Sequence, residues 1–471
     1  MATVEVPGYA VNDKLELDEQ HKALGGWRGP LSLRRVGSSY RAHREPTERE
    51  RHYPLWDLAS RIVDNAFVLA QRELNDTDVA SAEWECSPAC SKALLADLMG
   101  IKEPEEQAKA IGELAGFCVG VLEKQPAVPR VAAPLKVFGD LHGQFRDMLM
   151  LFAVYGFPTH LGGDVQTTSY IFNGDFVDRG AHQLECVVLL FALKALYAEQ
   201  VYLLRGNHEF REQNMMMREE GFFGHLATRY SEQGCAGLAN TIFEDVHKCF
   251  DWLPLAAIAA DTALVVHGGI GDGTWGIGDL ETIERPVKDV DSSKVLLQAM
   301  WSDPTGSDSV MKSGVHQSDR GEGVPEFGPN VSASFCAENK LAMIIRSHQF
   351  MRAGFKVMHH GFVVCVFSAR NYFFDEGGTN VSNDCAILLL TQDRTGNLRV
   401  YPKCLEAAPE TTDATLAVAR ASSRRSPRGA GGAVEGMLLC GYRVLCRCFP
   451  DPAERARRES MLSQVGKPHL G

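Results

Sequence analysis

Six short apolar runs between Leu135 and Tyr372 follow one pattern: a few β-branched, leucine or aromatic residues, then an abrupt change to a polar, turn-forming group. They read LKVFGDLHG, YIFNGDFVDRG, VYLLRGNHE, ALVVHGG, LAMIIRSH and FVVCVFSARNY. Runs of this length and composition predict strands, and strand ends of an α/β sheet converge on one edge, where such folds bind ligands. Ahead of them, Leu55, Leu58, Ile62, Val63, Phe67 and Leu69 fall near helical spacing, and Ile111, Leu114, Ala115, Cys118 and Leu122 repeat that spacing after Pro104. Two amphipathic helices are therefore expected before the sheet. Residues 26–52 are Arg-rich, polar and without periodicity, which predicts a mobile arm.

Composition narrows this picture. The 471 residues are 45% hydrophobic, enough for a sizeable core. A formal charge of −12 argues against a general nucleic-acid binder, which masses Lys and Arg along a groove. The first residues hold no basic segment followed by an apolar one, and no window is long and apolar enough for a membrane span, so the chain reads as intracellular, cytoplasmic or nuclear. The 13 cysteines are irregularly spaced and several lie in apolar runs, as reduced core thiols do. Cys86 and Cys90 lack a second pair to complete a zinc site.

Four segments are expected: an arm over 1–53, a helical extension over 54–105, a catalytic domain over 106–410 and a tail over 411–471. The tail carries five more basic than acidic residues, leaving −17 on the remainder, so it is able to fold back on an acidic body, with a mobile, solvated tail as the alternative. Its apolar patch around Cys440, Cys446 and Cys448 is a candidate for S-acylation and membrane contact, with a tucked-in tail the favoured reading.

The polar residues at the strand ends are chemically coherent. Asp140, His142, Asp175, Asn207, His267 and His348 offer carboxylate, imidazole and amide oxygen but no thiolate, a set suited to hard or borderline divalent cations. Six ligands exceed one tetrahedral site and suit two metals roughly 3.5–4 Å apart with a bridging carboxylate, the arrangement that clamps a phosphoryl displacement.

In this order, GDLHGQ, GDFVDRG, RGNHE, HGG, WSDP, DRG, RSHQ and SARNY resemble the signature blocks of the phosphoprotein phosphatases, the calcineurin-related Ser/Thr phosphatases of the metallophosphoesterase superfamily. The resemblance covers roughly residues 106–405. It implies an αββα sandwich of four layers with a dinuclear site at the strand ends. It implies one metal on Asp140, His142 and Asp175, and a second on Asp175, Asn207, His267 and His348, as Mn2+ or as iron with zinc. A bridging hydroxide would attack phosphoserine or phosphothreonine in line. His208 matches the general acid and Asp178 the carboxylate that orients it. Arg179 and Arg320 match two phosphate clamps, with Asn207 also on the phosphate and Tyr372 bordering the cleft. The partners implied are phosphoprotein substrates, with regulatory subunits or the tail as modulators. A hydrolase of small phosphoesters or nucleotides and an inactive scaffold stand as alternatives.

The chain also departs from that pattern. Relatives carry Tyr-Gly-Phe about eight residues after the Glu of the Asn-His-Glu block. Here Glu220-Gly221-Phe222 begins eleven residues after Glu209, which predicts a preference for basic flanking sequence in the substrate. Met215 to Met217 are expected as gap-filling core or helix residues rather than as a partner-docking surface. Phe373 stands where many members have Cys, and Arg370 replaces the usual Pro and is expected to add positive charge near the cleft. His160, His182, His225 and His247 match no block and are expected on the surface or in packing.

Overall fold

The computed structural model describes residues 53–75, 88–160, 162–306, 311–370, 372–374, 380–381, 383–406 and 444–446. Residues 26–52, Cys86, Cys440 and Cys448 lie outside the described residues, with most of the tail; Cys446 is described by backbone alone, in strand β17.

All six predicted runs are strands. The strands are β1 (Arg130–Val131), β2 (Leu135–Phe138), β3 (Ser169–Phe172), β4 (Val201–Leu203), β5 (Ala256–Ala259), β6 (Ala263–Val266), β7 (Asp303–Pro304), β8 (Val315–Gln317), β9 (Pro325–Phe327), β10 (Met343–Arg346), β11 (Phe355–Met358), β12 (Val363–Val366), β13 (Phe373–Phe374), β14 (Asn380–Val381), β15 (Cys385–Gln392), β16 (Leu398–Leu405) and β17 (Val444–Cys446). One six-stranded sheet has the order β1-β5-β6-β10-β12-β11 and the other β17-β16-β15-β2-β3-β4. Within the second, β2, β3 and β4 are parallel, and within the first, β6, β10 and β12 are parallel.

Three apolar cores establish the layers. Leu135, Val137, Ile171, Val265, Val364, Val366, Leu388 and Leu390 pack together between the sheets. Phe138, Tyr170 and Phe172, one step out of register with those neighbours, face a second core filled by the helices Tyr53–Asn75, Pro104–Leu122, Phe145–Tyr155, Gln183–Leu196 and Gly237–Phe250. Leu264, Val266, Ile344 and Cys365 face a third, covered by the helices Lys294–Trp301 and Pro329–Glu338. The alternation matches the two-residue period of a strand buried on both faces, so a one-residue slip would exchange the cores. The expected four-layer αββα sandwich is the observed fold.

Both predicted helices are present. Pro104–Leu122 starts with Pro in its first turn and with Glu105 and Glu106 beside the positive end of its dipole, and it buries Ile111, Leu114, Ala115, Cys118 and Leu122. A further helix, Pro88–Met99, was not expected; its apolar stripe is short, and it is fixed by burial of Leu95, Leu98 and Met99 against the same core.

Two expectations need correction. Met215 and Met216 lie in a helix, as one of the two readings had it, but not in the core: they are 52% and 62% exposed, because the short helix Arg211–Met216 turns Asn214 inward instead. Arg370 is buried rather than facing the cleft: its backbone N–H donates to Asp147 Oδ2 at 2.7 Å, and its guanidinium pairs with Asp147 Oδ1 and donates to the Glu406 carbonyl. Its charge is neutralised where it stands.

Candidate active site

The carboxyl ends of β2, β3 and β4 deliver Asp140 and His142, Asp175, and Asn207, and those of β6 and β10 deliver His267 and His348. All six are buried. A bridge between Asp140 and Phe367 links the ends of the two sheets at this edge. The backbone turns sharply there: His142, Asp175, Asp178, Arg179 and His348 all have positive φ, at 42°, 54°, 68°, 77° and 65°. For residues with a Cβ each such conformation costs about 1–3 kcal/mol and persists only where the surroundings hold it. Gly206 is required by close approach, since a Cβ there would lie 2.3 Å from Asp175 Oδ1.

Hydrogen bonds orient the ring nitrogens. His142 Nδ1 lies 2.9 Å from the Val177 carbonyl and His267 Nδ1 2.7 Å from the Asn173 carbonyl. A carbonyl only accepts, so both Nδ1 atoms carry a proton; the His142 Nε2 lone pair then faces the cluster, while burial is outweighed at His267 by Asp175, which raises that imidazole to about 9 in the absence of a cation. His267 Nε2 lies 3.2 Å from Asp175 Oδ1 and 2.8 Å from Asn207 Oδ1. His142 Nε2 lies 3.5 Å from Asp175 Oδ2 and 3.9 Å from Asp140 Oδ2. His348 Nε2 is buried and finds no partner among the described residues, while its backbone N–H donates to Asp140 Oδ1 at 3.0 Å.

Two groups of ligand atoms lie within 4.8 Å of one another: Asp175, His267 and His348, and His142, Asp175 and His208. Asp175 is common to both. Charge makes the same point. Burial, then Asp175, pushes the Asp140 carboxyl up to about 6. Burial, then His267, holds the His348 imidazole well below its usual range. Burial also opposes ionisation of Asp175, but the imidazoles of His267 and His208 outweigh it and hold that carboxyl well below the carboxylate range. Buried carboxylates, imidazole nitrogens turned to the cluster and one imidazole nitrogen without a partner among the described residues are a donor set that fits divalent cations.

Beside this cluster His208 Nδ1 contacts Asp178 Oδ2 at 2.6 Å, and His208 Nε2 lies 4.0 Å from Asp175 Oδ2. Arg179 Nη1 reaches within 3.3 Å of His142 Nε2, and its guanidinium lies over the Tyr372 ring, 5.4 Å from the centroid. Tyr372 in turn stacks on His142 at 5.1 Å. Arg320 is tied through Nε to Asp303 Oδ2 at 2.9 Å and is near enough to His348 to depress its protonation. Every site residue expected from the sequence is thus brought to one edge.

Several supporting residues were not foreseen. Glu209 accepts from the backbone N–H groups of Asp175, Phe176 and Gly206 at 2.7–2.8 Å, fixing two strand-end turns with one carboxylate. Asn173 donates to the Val266 carbonyl and Ser347 Oγ, joining the sheets. Asn214 and the buried His247 stand behind Asp178. Position next to a ligand marks Glu209 and Asn173; nothing in the local pattern marks His247.

Residues 133–351 match the family of calcineurin-like phosphoesterases. This chain carries a calcineurin-like phosphoesterase domain, the class that its two sheets and His/Asp cluster define. It is 38% identical over 299 residues to "Serine/threonine-protein phosphatase BSL2" of Arabidopsis thaliana, covering 64% of this chain and 28% of that protein. It is 39% identical over 252 residues to "Serine/threonine-protein phosphatase 5" of Rattus norvegicus, covering 53% and 45%. The chain therefore spans less than half the length of these relatives. Among solved structures, a protein serine/threonine phosphatase from Saccharomyces cerevisiae, described as similar to human phosphatase PP5, aligns with a TM-score of 0.54 and 28% identity over 70% of this chain and 98% of that one.

Proposed function

We propose that this chain hydrolyses phosphoserine and phosphothreonine in proteins, with residues 106–410 as the catalytic unit, 54–105 as a helical extension, and 1–53 and 411–471 as flanking segments. The observation that carries the reading is the shared Asp175 between two groups of buried ligand atoms, set beside a hydrogen-bonded His208–Asp178 pair. Asp140, His142 and Asp175 would hold one cation, and Asp175, Asn207, His267 and His348 the other; the donor set suits manganese, or iron with zinc. The cations would supply Lewis acidity toward water and the phosphoryl oxygens.

The chain's own residues supply the rest. Arg179 and Arg320 present planar guanidinium groups to the phosphoryl oxygens, where bidentate donors fix orientation as well as charge. With Asn207 Oδ1 turned to the cluster, its side-chain N–H group, buried and without a partner among the described residues, is placed to donate to a phosphoryl oxygen. Asp178 fixes the proton on His208 Nδ1 and aims Nε2 at the cleft, where it donates a proton to the departing serine or threonine oxygen. Tyr372, stacked on His142, closes one wall. Phosphoproteins are the partners this requires, and regulation by other subunits or by the tail is compatible with it.

The test is phosphate release from a phosphopeptide panel and from a dinucleotide polyphosphate by the manganese-loaded chain. Turnover of the peptides with little of the nucleotide is expected. The reverse preference would make the chain a small-phosphoester hydrolase, and turnover of neither would make it a scaffold.

A further inference from the structure

We infer that His247, far from the signature blocks, is a positioning residue for proton donation by His208, acting through Asn214 and Asp178. The inference rests on the function proposed above.

The connection is continuous and buried. His247, on the helix Gly237–Phe250, places Nε2 2.7 Å from Asn214 Oδ1. Asn214 Nδ2 lies 2.9 and 2.8 Å from the two Asp178 oxygens and 2.8 Å from the His208 carbonyl. Asp178 Oδ1 also accepts from the Phe222 backbone N–H at 2.7 Å, and Oδ2 receives His208 Nδ1–H. His208, Asp178, Asn214 and His247 are all buried.

Donor and acceptor roles follow from the ends inward. A carboxylate only accepts, so the Asn214 atom against Asp178 is its NH2 group, and the atom facing His247 is its carbonyl oxygen. His247 Nε2 must then carry hydrogen, which leaves Nδ1 as an acceptor; it is buried and has no partner among the described residues. Burial, then the cations Arg211 and Arg205, holds the imidazole well below its usual protonation range, so one tautomer serves throughout. The ring is wedged between Phe243 and Phe250, with centroids 4.3 and 5.2 Å away. A clamped His247 fixes which way the Asn214 amide points, and that amide fixes the carboxylate that aims His208. A hydrophobic residue here would fill the space but leave Asn214 Oδ1 without this donor, so the amide would lose what fixes its direction.

The experiment compares kcat on a phosphoserine peptide with kcat on p-nitrophenyl phosphate for manganese-loaded wild type, His247→Leu, His247→Gln and His208→Asn. Nitrophenolate leaves without a proton donor and serine alkoxide does not, so a fault in proton donation lowers the ratio of the two rates. A smaller folded fraction lowers both equally and leaves the ratio alone. His247→Leu is expected to lower the ratio roughly tenfold with KM unchanged, less than His208→Asn, and His247→Gln, which keeps an N–H donor, is expected to recover most of it. An unchanged ratio in His247→Leu, alongside a lowered one in His208→Asn, would overturn the inference and leave the proposed function standing. An unchanged ratio in His208→Asn would overturn both.

Discussion

His208 Nδ1 and Asp178 Oδ2 are 2.6 Å apart, on turns that follow two different parallel strands of one sheet. The contact exists because Asp178 sits at φ 68° and folds its carboxylate back under the strand end, where Phe222 and Asn214 hold it. Asp178→Asn should lower kcat on phosphoserine peptides by about 10²-fold or more while leaving KM and bound metal near wild type. Steady-state kinetics with metal analysis checks this, and a loss of metal equal to the loss of rate would speak against an orienting role.

The pair Arg370–Asp147 ties the Tyr372 loop to the helix Phe145–Tyr155 and, through the Glu406 carbonyl, to the last strand before the tail. Breaking a buried ion pair strands the remaining charge at a cost of about 3–5 kcal/mol. Arg370→Met should therefore lower the denaturant midpoint clearly, and adding Asp147→Leu should restore part of it. Equal destabilisation by the single and the double change would contradict this account.

Acid should weaken the fold through His359. Burial, only partly offset by the Thr305 carbonyl, pushes its pKa from the ordinary value down to about 4; its Nδ1 lies 2.8 Å from Ser332 Oγ. The folded value is depressed, so the unfolded chain binds more protons between the two values. The contribution is complete above about pH 6.5 and is lost as the pH falls through about 4, amounting to about 3 kcal/mol at most. His359→Asn, which accepts positive φ, should flatten the stability–pH curve in this window, as read by urea unfolding at successive pH values.

Glu220 is exposed, and its carbonyl accepts from the Arg179 backbone N–H at 2.7 Å and from Gln183 Nε2 at 3.1 Å. Its backbone thus lies against that of Arg179, one of the proposed phosphate clamps. Glu220→Tyr should reduce a several-fold preference for basic over acidic flanks in phosphopeptides, with the difference shrinking in high salt. An unchanged preference would remove Glu220 from the account.

Much of this architecture was legible because the strands are short, apolar and end at residues whose chemistry is unusual there. Asp140, Asp175 and His267 sit where a turn former or a surface residue is ordinary, and only their joint placement on parallel strands gives them meaning. What could not be read depends on contacts between distant segments. Met215 and Met216 look like core residues, yet Asn214 takes the inward direction because Asp178 needs its amide. Arg370 looks like a free cation near the cleft, but Asp147, 223 residues earlier, neutralises it. His247 has no local signal, since its partner Asn214 lies 33 positions away on another helix.

The central claim is tested most directly by adding manganese stepwise to chelator-treated wild type and Asp175→Asn while following phosphate release from a phosphoserine peptide. The account predicts that wild-type activity rises to a plateau near two cations per chain, and that the variant binds metal weakly and releases almost no phosphate. Turnover that is indifferent to metal, or an Asp175→Asn protein as active as wild type, would contradict it.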